Sequence, residues 1–161
     1  MLFLVSCSQA PSPTEILDTC RTKLAEGCTF DLQFSTGQEA TLRWSAEEQE
    51  LCFTAPDAVE GLCYLRDGGG LTVTFEGISS KISEAALPQG AAVAEIFEAL
   101  DTILISDSEA LDCDTETDGL LRVSTRNSQR MQSVWVDVES CLPIAVETEH
   151  WAVALALHNA L

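Results

Sequence analysis

The pattern of apolar and polar residues predicts a helix at the start of the chain. Ser12 can cap a helix, Pro13 suits its first position, and Glu15 completes a capping box. Gly27 then favours a helix end. We therefore predict a helix over about residues 13 to 25. Its apolar stripe consists of Ile16, Leu17, Cys20 and Leu24.

After Gly27 the apolar residues recur at every second position, which is the period of a half-buried strand. Glycine- and proline-containing turns separate the runs, so the segment is typical of short antiparallel strands joined by hairpins. The predicted strands lie at 28–34, 40–44, 51–53, 62–65 and 71–75, with a further strand at 78–82 as an extension.

A second helix interrupts the strands between Gly90 and Ser106. Its apolar positions return to helical spacing, which indicates a helix facing a core rather than a cofactor-binding segment. These positions are Val93, Ile96, Phe97, Leu100, Ile103 and Leu104.

Alternation at every second position then resumes to the end of the chain, at 111–117, 120–123, 134–138 and 144–149. Residues 151–158 have two interpretations, because their alanines favour a helix while their apolar period favours a strand. We choose the strand. The order of elements predicts one α+β domain, with no internal repeat and no linker.

Period-two alternation also predicts which side chains share a face of the sheet. Trp44, Phe53, Tyr64 and Phe75 fall on one face of neighbouring strands, and we expect Phe97 of the second helix to lie against it. We take these five residues as candidate ligand-binding residues. The alternative is that the two helices fill this side of the sheet completely.

Composition and charge exclude some partners. The 161 residues include 26 acidic and 8 basic side chains, for a net charge of −18. Such a charge repels nucleic-acid phosphates and anionic lipid headgroups. We therefore expect no nucleic-acid partner, and any membrane attachment should be covalent. The charge could also serve solubility alone.

The first residues contain a possible attachment site. Leu4-Val5-Ser6-Cys7 is similar to the lipobox of bacterial lipoproteins, in which the cysteine thiol takes a diacylglycerol, and a polar stretch follows it. We predict lipidation of Cys7, a shortened lipoprotein signal over residues 1–7 and a tether over residues 8–12. The alternative is an ordinary apolar start with a chance cysteine.

The chain has seven cysteines, and lipidation of Cys7 leaves six. Cys52 and Cys63 are equally distant from a turn near residues 57 and 58, so we predict a cross-strand disulfide between them. The partners of Cys20, Cys28, Cys113 and Cys141 stay open, and all six thiols could instead be reduced.

Known catalytic and metal-binding motifs are missing from the sequence. It contains no G-x-S-x-G, S-x-x-K or C-x-x-C, and its two histidines have no partner at sequence level. The acids of Asp114-x-Glu116-x-Asp118-Gly119 resemble part of a calcium loop, but the closing acid is absent, which favours a solvent-facing strand. We expect no enzyme activity, no metal and no cofactor.

Two segments resemble a known family. Residues 134–144 (VWVDVESCLPI) are similar to the hairpin of outer-membrane lipoprotein carrier-like proteins, the LolA/LolB-like fold, with Cys141 where that pattern has glycine. Residues 51–64, with Pro56 and Gly61, resemble small LolA-like lipoproteins of Gram-positive spore-formers, a group that includes spore-germination lipoproteins.

The resemblance implies a single LolA-like domain over residues 13–161, built as a curved, incomplete antiparallel barrel. The first helix and the inserted helix near residues 91–104 would cover its concave face. It also implies a non-catalytic, extracytoplasmic role at the cell membrane. Two functions stay open: binding a lipid or other apolar ligand in the hollow, or binding a protein partner as a scaffold or chaperone for a cell-envelope enzyme.

Overall fold

A computed structural model describes residues 11–88, 90–106, 110–115, 118–125 and 132–158. Within these ranges the chain forms two α-helices, one short 3₁₀ turn at Glu84–Ala86 and eleven strands. The helices are α1 (Pro13–Glu26) and α2 (Ala92–Ile105). The strands are β1 (Cys28–Phe34), β2 (Glu39–Trp44), β3 (Gln49–Ala55), β4 (Cys63–Asp67), β5 (Gly70–Phe75), β6 (Ile78–Ile82), β7 (Leu111–Thr115), β8 (Leu120–Thr125), β9 (Ser133–Asp137), β10 (Leu142–Glu147) and β11 (Ala152–Leu157).

Helix α1 begins and ends as the sequence predicts. The Glu15 backbone N–H donates to Ser12 Oγ at 3.3 Å, and the Ser12 backbone N–H donates to the Glu15 carboxylate at 2.7 Å. These two bonds form the predicted capping box and satisfy donors that a helix start otherwise leaves without partners. The helix ends at Glu26, and the next residue, Gly27, has a φ of +117° that an L side chain rarely adopts.

All eleven strands belong to one antiparallel sheet, in the order β6-β5-β4-β3-β2-β1-β11-β10-β9-β8-β7. Residues 152–157 form a strand, as predicted, because they pair with β1 on one side and β10 on the other. The edge strands β6 and β7 do not pair with each other within the described residues. The sheet is curved, and because these two edges do not pair there it is not closed into a barrel, which confirms the predicted incomplete barrel.

The core lies on the concave face of this sheet, under the two helices. Residues that pair across antiparallel strands lie on the same face of the sheet. The register therefore places the buried apolar strand residues together on the concave face. The buried strand residues on that face include Phe30, Leu32, Phe34, Leu42, Trp44, Leu51, Leu71, Leu121, Val123, Val134, Val136, Val146, Val153 and Leu155.

Helix α2 follows one edge strand, β6, and precedes the other, β7. It lies over the concave face, as predicted for the inserted helix. Its C-terminal end is held by α1, since Arg21 donates to the Ile103 carbonyl at 2.7 Å and to the Ser106 carbonyl at 2.6 Å. Beyond its other end, Trp151 Nε1 donates to the Gly90 carbonyl at 2.8 Å. No helix in the described part of the chain is long and apolar enough to cross a bilayer.

The structure differs from the sequence predictions at some strand ends. β10 ends at Glu147, not Glu149, because the chain turns and the Thr148 N–H donates to the Trp151 carbonyl at 2.8 Å. β7 is described only to Thr115, and residues 116–117 and the turn predicted at 127–128 lie outside the described residues. Cys141 adopts the left-handed φ of +49° that a glycine would favour.

Candidate functional site

A cavity of about 430 Å³ lies between α2 and strands β4 and β5. This volume falls within the range of about 300–1,000 Å³ that small-molecule sites occupy. Its apolar walls come from both the sheet and the helix, so it forms where α2 does not completely fill the hollow. Its lining residues are Arg66, Leu71, Glu84, Leu87, Ala94, Phe97, Glu98, Asp101, Thr102 and Ser106.

Arg66 of β4 is the cationic side chain of this lining. Its guanidinium donates two hydrogen bonds to the Asp101 carboxylate of α2, at 2.7 and 2.8 Å. It also lies 4.7 Å from the centre of the Phe97 ring and 5.5 Å from that of Trp44. A paired geometry of this kind is stronger than a single ionic contact. Arg66 thus joins α2 to the sheet and forms one wall of the cavity.

Trp44 and Phe97, two of the predicted ligand-binding residues, pack edge-to-face with ring centres 5.8 Å apart. Phe97 lines the cavity, whereas Trp44 is fully buried and does not. The indole N–H of Trp44 has no hydrogen-bond partner among the described residues. In this conformation Trp44 belongs to the core beneath the cavity. A ligand would contact it only if the side chain of Phe97 or Arg66 moved aside.

Phe53 and Tyr64 lie on the same face as Trp44 and are half-buried, as the period-two pattern predicts. Phe53 stacks on Phe34 with ring centres 5.7 Å apart, and Phe34 meets Trp151 edge-to-face at 5.6 Å. Burial raises the pKa of the Tyr64 hydroxyl. These aromatic residues continue the apolar face of the sheet along β1, β3 and β4.

Phe75 lies near the outer edge of this surface. In the register, Tyr64 pairs with Val73 and Phe75 pairs with Ile78, so all four share the concave face. We call Tyr64, Val73, Phe75 and Ile78 the rim patch. The first three are half-buried, while Ile78 is 75% exposed. The hollow is thus covered at its centre and open at the β5–β6 edge.

A second cavity, of about 480 Å³, lies at the N-terminal end of α2. There His150 Nδ1 lies 2.6 Å from Glu95 Oε1, and the Thr148 hydroxyl also bonds the Glu95 carboxylate. These contacts fix α2 to the turn between β10 and β11. Sequence reasoning missed them, and the Arg66–Asp101 pair, because each joins residues far apart in the chain.

The predicted disulfide partners lie on the opposite, convex face. Cys52 and Cys63 pair in the register of β3 and β4, with Cα atoms 4.1 Å apart and sulfurs 2.13 Å apart. The position suits a cross-strand bridge and is remote from the cavity. Cys20 of α1 is fully buried, and burial, with smaller contributions from nearby Cys141 and Cys28, raises its pKa to about 12.

Two other sequence predictions concern residues that the structure does not describe. Cys7 and the segment resembling a lipobox lie outside the described residues, and so does Glu116 of the calcium-like stretch. Within the described ranges, no group of three or more His, Cys, Asp or Glu side chains is placed to hold a metal ion.

Comparison with known proteins gives a likeness of fold. No family model and no curated protein matches the sequence. The structure of an uncharacterized conserved protein from Thermus thermophilus is similar, with a TM-score of 0.52 and 12% identity over 94% of this chain and 90% of that one. It shows that this arrangement of sheet and helices occurs elsewhere.

Two further solved structures are similar at lower scores. One is a LolA superfamily protein from Nitrosomonas europaea, with a TM-score of 0.44 and 11% identity over 93% of each chain. The other is described as an outer membrane lipoprotein-sorting protein domain from Vibrio parahaemolyticus, with a TM-score of 0.44 and 13% identity over 89% of each chain. At these scores neither supports an assignment of function.

Proposed function

We propose that this chain is a non-catalytic cell-envelope lipoprotein that binds a lipid or another apolar ligand in the hollow of its sheet. The observation that carries the proposal is the cavity beneath α2, whose walls include Leu71, Leu87 and Phe97. The same lining carries polar side chains, among them Arg66, Glu84 and Asp101, and polar groups of this kind can orient a ligand held by an apolar surface. The half-buried Tyr64 and Phe75 continue this surface toward the open edge of the sheet.

The cavity can be tested by filling it. Ala94 of α2 lines the cavity, so Ala94→Trp should place an indole inside it. Ala25 of α1 is exposed and lines none of the described cavities, so Ala25→Trp is a matched control. The measurement is binding of an uncharged naphthylamine probe, such as N-phenyl-1-naphthylamine, followed by its fluorescence. We expect Ala94→Trp to reduce affinity by about tenfold or more and Ala25→Trp to leave it unchanged. Equal binding by both variants would remove the support for this site.

We also propose that Cys7 carries the membrane anchor. The support is the sequence Leu4-Val5-Ser6-Cys7 ahead of a polar tether. When expressed with a lipoprotein export signal, the protein should partition into the detergent phase. Cys7→Ser should move it to the aqueous phase, and the matched variant Ser8→Ala should not. Unchanged partitioning of Cys7→Ser would show that the anchor is elsewhere or absent.

A protein-interaction role is the second candidate, and the exposed side chain of Ile78 favours it. Ile78 lies in β6, an edge strand, where an apolar side chain and the outer backbone groups face solvent. A partner could cover the rim patch instead of a ligand entering the cavity. Native mass spectrometry of freshly purified protein separates the two functions. A bound acyl species supports ligand binding, whereas a stoichiometric protein supports the interaction module.

A further inference from the structure

The cavity beneath α2 differs in chemistry between its interior and its mouth. The interior is formed by Leu71 and Phe97, which are almost fully buried. The lining also includes Leu87 and exposed Glu84, which belong to the 3₁₀ turn and its C-terminal end. An apolar chain therefore fits inside, while a polar headgroup would lie at the mouth, near the 3₁₀ turn.

The cation in this lining is already engaged. Both outer nitrogens of Arg66 donate to Asp101, and its guanidinium lies over the Phe97 ring. A carboxylate, sulfate or phosphate headgroup would have to displace Asp101 and leave that acid unpaired. Breaking a partly buried pair in this way costs free energy that an anionic headgroup must repay.

Carboxylates continue beyond the cavity mouth. The second cavity shares Glu84, Leu87, Ala94 and Glu98 with the first, so the two adjoin along the same side of α2. It adds exposed Glu149 to the lining. His150, which also lines it, is bonded to Glu95. The net charge of the whole chain, −18, adds a field of the same sign.

We infer that the cavity beneath α2 selects an apolar ligand with a cationic headgroup, such as a quaternary or protonated amine, over an anionic one. This inference rests on the proposed ligand-binding function. The apolar interior would bind the chain of the ligand. The carboxylates near the mouth, and the pairing of Arg66 with Asp101, would determine which headgroup the cavity accepts. Neutral amphiphiles of equal chain length should bind with intermediate affinity.

The test compares three amphiphiles of one chain length: dodecyltrimethylammonium, uncharged dodecyl maltoside and dodecyl sulfate. Each is added below its micelle concentration to displace N-phenyl-1-naphthylamine from the full chain. At low ionic strength we expect dodecyltrimethylammonium to displace the probe at about a tenfold lower concentration than dodecyl sulfate. High salt should reduce this ratio, because salt screens charges at an exposed mouth.

Variants that replace a carboxylate with an amide test which acids produce the preference for the cationic amphiphile. Glu84→Gln combined with Glu149→Gln should reduce the preference for the cation to about threefold or less. Glu60→Gln removes an exposed acid that lines neither cavity and should leave the preference unchanged. Far-ultraviolet dichroism of each variant checks that the fold is intact, and the salt dependence of the unaltered protein tests the inference without any variant.

The outcomes separate the inference from the function beneath it. If dodecyl sulfate displaces the probe as well as the cation does, or if the double variant keeps the full preference, the inference is wrong while ligand binding stands. If no amphiphile displaces the probe and Ala94→Trp leaves probe binding unchanged, the proposed function itself fails.

Discussion

The Arg66–Asp101 pair is expected to stabilise the attachment of α2 to the sheet. Its side chains are 16% and 29% exposed, which lies between a surface pair and a buried one. Exposed pairs couple by about 0.2–1 kcal/mol, and breaking a buried pair costs about 3–5 kcal/mol. We therefore expect a coupling free energy of about 1.5 kcal/mol between Arg66 and Asp101.

A double-mutant cycle measures this coupling. Arg66→Met keeps most of the side-chain length but removes the charge, and Asp101→Asn removes the acceptor's charge. Arg66→Met also loses the cation–π contact with Phe97, worth about 0.5–1 kcal/mol. We expect it to lower the free energy of unfolding by about 2–3 kcal/mol and the melting temperature by about 5–10 °C.

The chain offers a matched control pair on its surface. Arg43 and Glu48 form an ion pair at 2.7 Å with side chains 53% and 43% exposed. The cycle of Arg43→Met and Glu48→Gln should give less than about 0.5 kcal/mol. Urea unfolding followed by tryptophan fluorescence serves both cycles. If the Arg66 pair couples no more strongly than the Arg43 pair, partial burial does not strengthen it and the reasoning is refuted.

Three further predictions concern the cysteines and the core. Peptide mapping without reduction should show Cys52 and Cys63 in one linked peptide, and two separately alkylated peptides would contradict the pairing. Replacing both cysteines with alanine should lower the free energy of unfolding by about 2–3 kcal/mol. Because burial raises the pKa of Cys20 to about 12, its thiol is protonated at mildly alkaline pH. Iodoacetamide should therefore label Cys20 more slowly than Cys28 in the native protein, and the two thiols should react equally fast in urea. Trp44→Glu would bury a carboxylate beside Arg66, which is already paired with Asp101, and should abolish the cooperative thermal transition, whereas Trp44→Phe should retain it. A cooperatively folded Trp44→Glu protein would contradict the assignment of Trp44 to a closed core.

Local patterns predicted most of the secondary structure. The capping box at Ser12 and Glu15 fixes the start of α1 through contacts three residues apart, so the sequence alone reveals it. Most strands show their buried face through alternation, which is why the shared face of Trp44, Phe53 and Tyr64 was predictable. The register of Cys52 with Cys63 followed from their equal distance from one turn.

The limits of sequence reasoning lie in contacts between distant elements. The pairing of Arg66 with Asp101, and of Glu95 with His150, depends on how α2 crosses the sheet, and no periodicity specifies that crossing. The same crossing buries Trp44 completely, although alternation alone could not tell a covered residue from a cavity wall. The sequence pattern predicts that β10 continues to residue 149, whereas the strand ends at Glu147. Thr148 fits the strand pattern, but its backbone N–H already donates across the turn to the Trp151 carbonyl.

The pairing of β1 with β11 has a consequence for assembly of the fold. Strands β1–β6 and β7–β11 each form a meander of neighbouring hairpins, and the two meanders join along the seam between β1 and β11. Contacts within a meander are local, whereas the seam joins two strands that lie far apart in the chain. Loss of β11 would therefore divide the sheet in its middle rather than shorten its edge. The β1–β11 pairing is thus the contact that makes one continuous sheet of the two meanders.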